Sequence, residues 1–209
     1  MKLFVTGIGT DVGKTIVSAV ITQALQADYW KPVQAGDLNN SDSHKIKRYL
    51  SNSQTVIHNN SYALQTPASP HLAAEIDAVT IDLNKIQEPQ TNSHLVIEGA
   101  GGVFVPLNET DCVIDLMQPD YKVIVVSRHY LGSINHTLLT VEALKNRNFE
   151  IGGIIFNGDE NPSTEEIILK KTGLKMIGRI ENEPYFDAGV IRYYADKFRE
   201  NLQNLEERE

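Results

Sequence analysis

The stretch FVTGIGTDVGKT, Phe4 to Thr15, limits what this chain can fold into more than any other. An apolar run enters a glycine-rich turn, and a helical pattern leaves it at Gly-Lys-Thr. That order suits a phosphate-binding loop, where the unpaired N–H groups of a helix start and the helix dipole both face an anion. Gly7, Gly9 and Gly13 let the backbone turn tightly and approach a phosphate closely. Lys14 would then lie against the β- and γ-phosphates, and the Thr15 hydroxyl would ligate Mg²⁺. The spacing is irregular, however. The usual loop has four residues between its first glycine and Gly-Lys-Ser/Thr, whereas five separate Gly7 from Gly13 and three separate Gly9 from it.

Beyond the loop, short apolar runs alternate with helical patterns. Lys2–Thr6, Tyr29–Val33, His94–Glu98, Lys122–Ser127 and Ile151–Asn157 read as strands, and Lys175–Ile180 as a weaker one. Several are apolar at consecutive positions, as in a parallel sheet covered on both faces. Helices are expected over Lys14–Gln26, Ser133–Asn146 and Val190–Glu206, with the closing EERE as a solvated end. Another is expected from Ser163, with Glu166 completing a capping box, to a stop at Gly173. The alternation predicts an α/β fold: a single doubly wound, mostly parallel sheet flanked by helices, one domain over residues 1–209. Ligands are expected at the carboxyl ends of its strands. The segment Leu38–Thr91 is rich in Asn, Ser and Gln and longer than a connection needs, so it is expected to help build a site.

Charge and composition remove some classes of function. A net charge of −8 argues against nonspecific nucleic-acid binding. The lone Cys112 excludes an intramolecular disulfide and fits a reducing compartment. No run approaches the ~20 apolar residues of a membrane-spanning helix, and the opening residues enter a strand with no secretory pattern. A cytoplasmic protein with neither membrane nor nucleic acid as partner is expected.

Three further motifs carry chemistry. In VIEGAGG, Val96–Gly102, a strand runs into a carboxylate where a phosphate-loop protein keeps its second metal contact, so Glu98 can help hold Mg²⁺. Gly99, Ala100 and Gly101 then leave bare backbone near the reacting groups. In WKPVQAG, Trp30–Gly36, Lys31 lies near the end of a strand expected beside the first, and Pro32 argues for a sheet edge or a strand end. A cation there would face the γ-phosphate, although alone it reads as a surface lysine. In NNSDSH, Asn39–His44, Asp42 opens a helix, either as its cap or as a third oxygen ligand for the metal.

Together these motifs resemble the dethiobiotin synthetases, which close the ureido ring in biotin synthesis with ATP. TGIGTDVGKT has that family's longer loop, so the irregular spacing is similar to a family feature. KPVQAG, NSD, PASPHLAA, EGAGGVFVPL and LGSINHTLLT follow in family order, from residue 4 to about residue 157. The resemblance implies that 7,8-diaminononanoate takes up CO₂ as a carbamate and that ATP phosphorylates it. The neighbouring amine then displaces phosphate. It also implies catalytic roles for Thr10, Lys14 and Lys31, with Thr10 hydrogen-bonding the carbamate or diamine. A Mg²⁺ site of Thr15, Asp42 and Glu98 is implied as well. Asp11, Val12, Gly13, Lys14, Thr15 and Ile16 would wrap the phosphates, and Asn157 would read the base. Finally, it implies a homodimer in which Gly132, Ser133, Ile134 and Asn135 of one subunit hold the substrate carboxylate of the other. Ser133, Ile134 and Asn135 are expected to offer free N–H groups.

The chain departs from the family pattern at Ala35, where a hydroxyl is frequent, and at Asp11, where Glu is frequent. Gly158 stands where Asp is frequent, and Ile180-Glu181-Asn182 replaces a common Ile-Pro. The expectation is intact chemistry with loosened base recognition, so that other nucleoside triphosphates can serve. A partitioning-type ATPase is the alternative, but GIGTDV lacks the extra lysine such loops carry. A cobyrinate amidase-like synthetase would need a glutaminase domain, and a non-catalytic scaffold would leave Lys31, Asp42 and Glu98 without purpose.

Overall fold

The computed structural model describes residues 1–206, so the tail of the EERE run at 207–209 lies outside the described residues. The first strand, β1 (Lys2–Gly7), runs into the glycine turn and then α1 (Lys14–Leu25). There follow β2 (Asp28–Trp30), β3 (Val33–Ala35), α2 (Asp42–Tyr49), β4 (Tyr62–Leu64) and α3 (Pro70–Ile76). The second half alternates regularly: β5 (Leu95–Gly102), β6 (Tyr121–Arg128), α4 (Ser133–Asn146), β7 (Glu150–Asn157), α5 (Pro162–Thr172), β8 (Met176–Ile180) and α6 (Ala188–Gln203).

Six strands form one parallel sheet in the order β2-β5-β1-β6-β7-β8. Its centre is apolar on both faces: Leu3 to Val5, Val96, Ile97, Val123 to Val126 and Ile154 to Phe156 are all buried. The chain leaves β1 toward β2 and leaves β6 toward β7, in opposite directions across the sheet. Right-handed crossovers therefore put α1 and α4 on opposite faces. α6 and α2 pack on α1, and α5 packs on α4. The two directions of winding part between β1 and β6, which leaves the phosphate loop at the crevice that a doubly wound sheet opens at its carboxyl edge.

Four local expectations are corrected. The run Tyr29–Val33 is not one strand: Pro32 cannot donate to a ladder, so pairing stops at Trp30 and resumes at Val33. β3 then joins β4 in a separate two-stranded sheet. Nor does β2 lie beside β1; β5, longer and buried on both faces, takes that place and pushes β2 to the edge. The α5 cap is Asn161, whose side chain accepts from the Thr164 N–H, with Pro162 in the first turn where its missing N–H costs nothing. Ser163 is inside that helix, although the stop at Gly173 is as expected, with φ 70°. Likewise Ser41, not Asp42, caps α2, which leaves the Asp42 carboxylate free of capping duty.

The irregular segment does build around the sheet. Its residues Val56 to His58 lie along the outer edge of β2, exchanging backbone bonds with Tyr29. Among the described residues no helix is long and apolar enough to cross a membrane.

Candidate active site

The extra residue of the loop is absorbed by left-handed backbone. Asp11 has φ 56° and Gly13 φ 96°, and helical bonding begins only with the Val17 N–H to the Gly13 carbonyl at 3.0 Å. The N–H groups of Lys14, Thr15 and Ile16 are therefore unspent within the helix. Two strand ends hold the loop from behind. Arg128 Nη1 at the end of β6 donates to the Asp11 carbonyl at 3.0 Å, and Asn157 Nδ2 at the end of β7 donates to the Val12 carbonyl at 2.8 Å. In a trans peptide N–H and C=O point oppositely, so these two bonds turn the Val12 and Gly13 N–H groups the other way.

Asn157 also sits so close to Gly13 that a Cβ there would overlap its amide. Gly13→Ala therefore meets both a steric clash and a disfavoured φ. We expect it to weaken nucleotide binding at least about tenfold, the equivalent of ~1.4 kcal/mol, while leaving every charged residue of the cleft in place. Calorimetric titration with ADP, alongside a circular dichroism melt, would check this; unchanged affinity would mean the loop does not grip the phosphates.

Lys14 is 7% exposed and its Nζ curls back to the Gly9 carbonyl at 3.1 Å. Burial, and then the charge of Lys31, pull its pKa down to about 8. Lys31 is as deeply buried but differently placed. Its Nζ lies 2.8 Å from Asp42 Oδ2, 3.0 Å from Glu98 Oε1 and 3.4 Å from the Gly99 carbonyl. Burial alone would lower the Lys31 pKa, but the Glu98 and Asp42 carboxylates outweigh it and hold the pKa above its ordinary value. Asp42 shows the counterpart: burial works against its ionisation, yet Lys31 and Lys45 keep its pKa low. Glu98, 1% exposed, also accepts from Thr15 Oγ1 at 3.0 Å on the same Oε1.

Thr15, Asp42 and Glu98 thus present oxygens to one small volume, in which the Lys31 ammonium offsets part of the charge of the two carboxylates. Hard, oxygen-only donors of this kind fit Mg²⁺, which takes one or two carboxylates and completes its shell with water and substrate phosphate. No group of three or more His, Cys, Asp or Glu among the described residues could hold a metal alone. The ion is accordingly expected to need nucleotide oxygens.

These groups open onto a cleft of about 860 Å³. Thr10, Asp11, Gly13, Lys14, Thr15, Ile16, Lys31, Asp42, Glu98, Ala100 and Gly101 line it, together with Ala35 and the start of α3. Gly99 reaches it through its carbonyl beside Lys31; Val12 and Asn157 stand behind the loop. Gly132, Ser133, Ile134 and Asn135 are not in this cleft. They line a second cavity of about 750 Å³ with His129 and Tyr130. There the Ser133 N–H is already spent on the Tyr130 carbonyl at 3.0 Å, so at this helix start Ile134 and Asn135 carry the free donors and Ser133 does not.

Four residues are missing from the sequence reading. Lys45 lies 3.4 Å from both Asp42 and Asp37 and borders the cleft. The Gln34 side chain accepts from the Asp42 N–H at 3.3 Å, and Arg128 holds the loop. Tyr29, wholly buried, donates its hydroxyl to Glu98 Oε2 at 2.9 Å. Burial, then the charge of Glu98, raise that phenol well above its ordinary pKa, so it acts as a donor only. Spacing from Asp42 could have pointed to Lys45, one helical turn on; the others depend on contacts remote in sequence.

A family model described as an AAA domain matches residues 1–189. The chain is 58% identical over 199 residues to the ATP-dependent dethiobiotin synthetase BioD of Christiangramia forsetii, covering 95% of this chain and 96% of that protein. It is 53% identical over 202 residues to the same-named protein of Cytophaga hutchinsonii, covering 96% and 98%. Among solved structures, the Pyrococcus furiosus cell division ATPase MinD superposes with a TM-score of 0.59 at 13% identity, covering 98% of this chain and 99% of that one. A ParA family ATPase from Chlorobium tepidum gives 0.55 at 14% identity, covering 97% and 90%. These two likenesses concern the fold alone.

Proposed function

Since the chain belongs to the dethiobiotin synthetase family and is an ATP-dependent ligase, we propose that the cleft around Lys14, Lys31, Asp42 and Glu98 is where it closes the ureido ring. One amine of 7,8-diaminononanoate takes up CO₂ as a carbamate. A carbamate oxygen attacks the γ-phosphorus of ATP, and ADP leaves with the bridging oxygen. The second amine attacks the carbonyl carbon of the resulting mixed anhydride, expels phosphate and forms the cyclic urea.

Catalysis of such a transfer is positioning and charge stabilisation. Lys14 and the unspent N–H groups of the loop bind the β- and γ-phosphates, and Thr10, at the mouth of the loop, orients the carbamate. Lys31 balances Glu98 and Asp42 in their ligand-free state; once their charge is met elsewhere, it is available to the transferring phosphoryl group. Mg²⁺ held by Thr15, Asp42 and Glu98 with the nucleotide would supply the remaining charge screening. Ala35 offers no hydroxyl to the substrate, and the backbone of Gly99 to Gly101 borders the reacting end. Residues 1–209 act as one synthetase unit.

The active form is a homodimer. Its support is the separation of Gly132–Asn135 from the chain's own cleft, with Leu131 fully exposed and Leu139 and Ile134 exposed beside it. Ile134 and Asn135 of one subunit would then hold the substrate carboxylate of the other through their N–H groups. Base recognition is looser than the family pattern, because Gly158 offers no side chain, Glu181-Asn182 departs from the Ile-Pro wall, and one donor of Asn157 is already on the loop.

The buried Lys31 between two carboxylates is the observation that carries the site assignment. The test is phosphate release from Mg·ATP and bicarbonate with and without 7,8-diaminononanoate, product identified by mass, with CTP and GTP run in parallel. Diamine-dependent release with dethiobiotin formed is expected, and CTP or GTP should support turnover within about tenfold of ATP, a difference of ~1.4 kcal/mol. Nucleotide binding without diamine-dependent turnover would refute the assignment.

A further inference from the structure

We propose that Tyr29 is a positioning residue for the metal-site carboxylate, setting which oxygen of Glu98 faces the cleft. The proposal rests on the reading of Glu98 as a metal ligand. Glu98 has three side-chain donors, and they divide unequally. Thr15 Oγ1 and Lys31 Nζ both address Oε1, while the Tyr29 hydroxyl alone takes Oε2 at 2.9 Å. Thr15 and Lys31 line the cleft; Tyr29 does not, and approaches the carboxylate from the sheet.

Its own position leaves little freedom. In β2 it pairs with Val96 of β5, two residues before Glu98. On the outer side its N–H donates to the Val56 carbonyl at 3.0 Å, and its carbonyl accepts from the His58 N–H at 2.9 Å. A residue tied to backbone on each side, β5 within the sheet and Val56 to His58 outside it, aims its phenol along one direction. A carboxylate with one oxygen held by a neutral donor cannot rotate about its terminal torsion to present either oxygen at random. Oε1 is thus kept toward Thr15, where a metal would need it. Outer partners of this kind orient a metal ligand and typically change metal affinity or activity by about 10–100-fold when removed. A tyrosine at the edge of a sheet could instead be a core ring whose hydroxyl found the nearest acceptor. The two readings separate on metal dependence.

The experiment compares Tyr29→Phe, which deletes only the hydroxyl, with Trp30→Phe, which removes the bond from the adjacent Trp30 Nε1 to the Asn59 carbonyl and leaves Glu98 untouched. For each, ADP affinity is measured by calorimetry in EDTA and over a Mg²⁺ titration. Tyr29→Phe should raise the half-saturating Mg²⁺ concentration by about 10-fold or more and leave ADP affinity in EDTA unchanged. Trp30→Phe should alter neither. An unchanged Mg²⁺ dependence in Tyr29→Phe overturns the proposal, as does an equal shift in both variants, which would indicate strand packing. A Tyr29→Phe chain that fails to bind ADP even in EDTA overturns it too, since the hydroxyl would then be needed for folding. Glu98→Gln distinguishes the layers: if it leaves the Mg²⁺ dependence unchanged, the metal-site reading has failed, and if it alone shifts that dependence, only the role of Tyr29 has.

Discussion

Lys14→Met will give a protein that is more stable than the wild type without ligand and nearly inactive with it. Lys14 holds its charge in a place that does not favour it: 7% exposed, with one carbonyl partner and with Lys31 repelling it. Its pKa of about 8, against 10.5 for an ordinary lysine, measures that disfavour. The folded state gives up the proton near pH 8, whereas the unfolded chain keeps it to about pH 10.5. The cost to stability is therefore full below pH 8 and disappears as the pH climbs from 8 to 10.5. At pH 7 the methionine variant, similar in length and uncharged, should gain roughly 2–3 kcal/mol. That advantage should shrink by pH 9.5. Turnover should fall on the order of 10²–10³-fold or more, as when one preorganised charge partner is lost from a transition state. Urea denaturation at the two pH values, set beside phosphate release, measures both effects. A variant less stable than wild type at pH 7 would contradict the argument.

Lys31→Met should also abolish turnover, yet its effect on stability has the opposite sign. Lys31 is the counter-charge of two buried carboxylates, 2.8 Å from one and 3.0 Å from the other. Removing one partner of a buried ionic group leaves uncompensated charge, at a cost of about 3–5 kcal/mol. With the cation gone, Asp42 and Glu98 face each other and Thr15 across an open, doubly negative volume. Millimolar Mg²⁺ without nucleotide should then restore part of the lost stability, whereas it should do little for the wild type, whose Lys31 already fills that volume. Thermal melts with and without Mg²⁺ decide it. If the variant melts like the wild type in both conditions, Lys31 is not the counter-charge described above.

Much of this site was legible because its chemistry is concentrated in short segments. Gly-Lys-Thr after a strand, a glutamate before Gly-Ala-Gly-Gly, and Asp42 at a helix start all come to line one cleft once folded. What sequence patterns lack is adjacency. Apolar runs identify β2, β5 and β1 as strands, but not that β5 lies between the other two; that depends on which strand buries both faces. Tyr29 reads as one more apolar strand residue because its partner lies in β5, remote along the chain. The capping-box pattern at Ser163 points to a helix start two residues late; Asn161 is the cap because Pro162 suits the first turn that follows it. The Ser133 N–H is spent because the chain turns and brings the Tyr130 carbonyl to it, a contact that a helix-start pattern does not reveal.

The order of the sheet also governs when this molecule can come into being. β1 is made before both of its neighbours, and its first residue, Lys2, pairs with Leu95 on one side and Tyr121 on the other. A growing polypeptide therefore carries an apolar strand and a glycine turn with no neighbouring strand to pair with until β5 has been made. Such long-range parallel pairing is slow, because chain entropy must be spent before any contact rewards it. The phosphate loop gains its supports from Arg128 and Asn157 later still, so its geometry matures only after the ribosome has passed the end of β7.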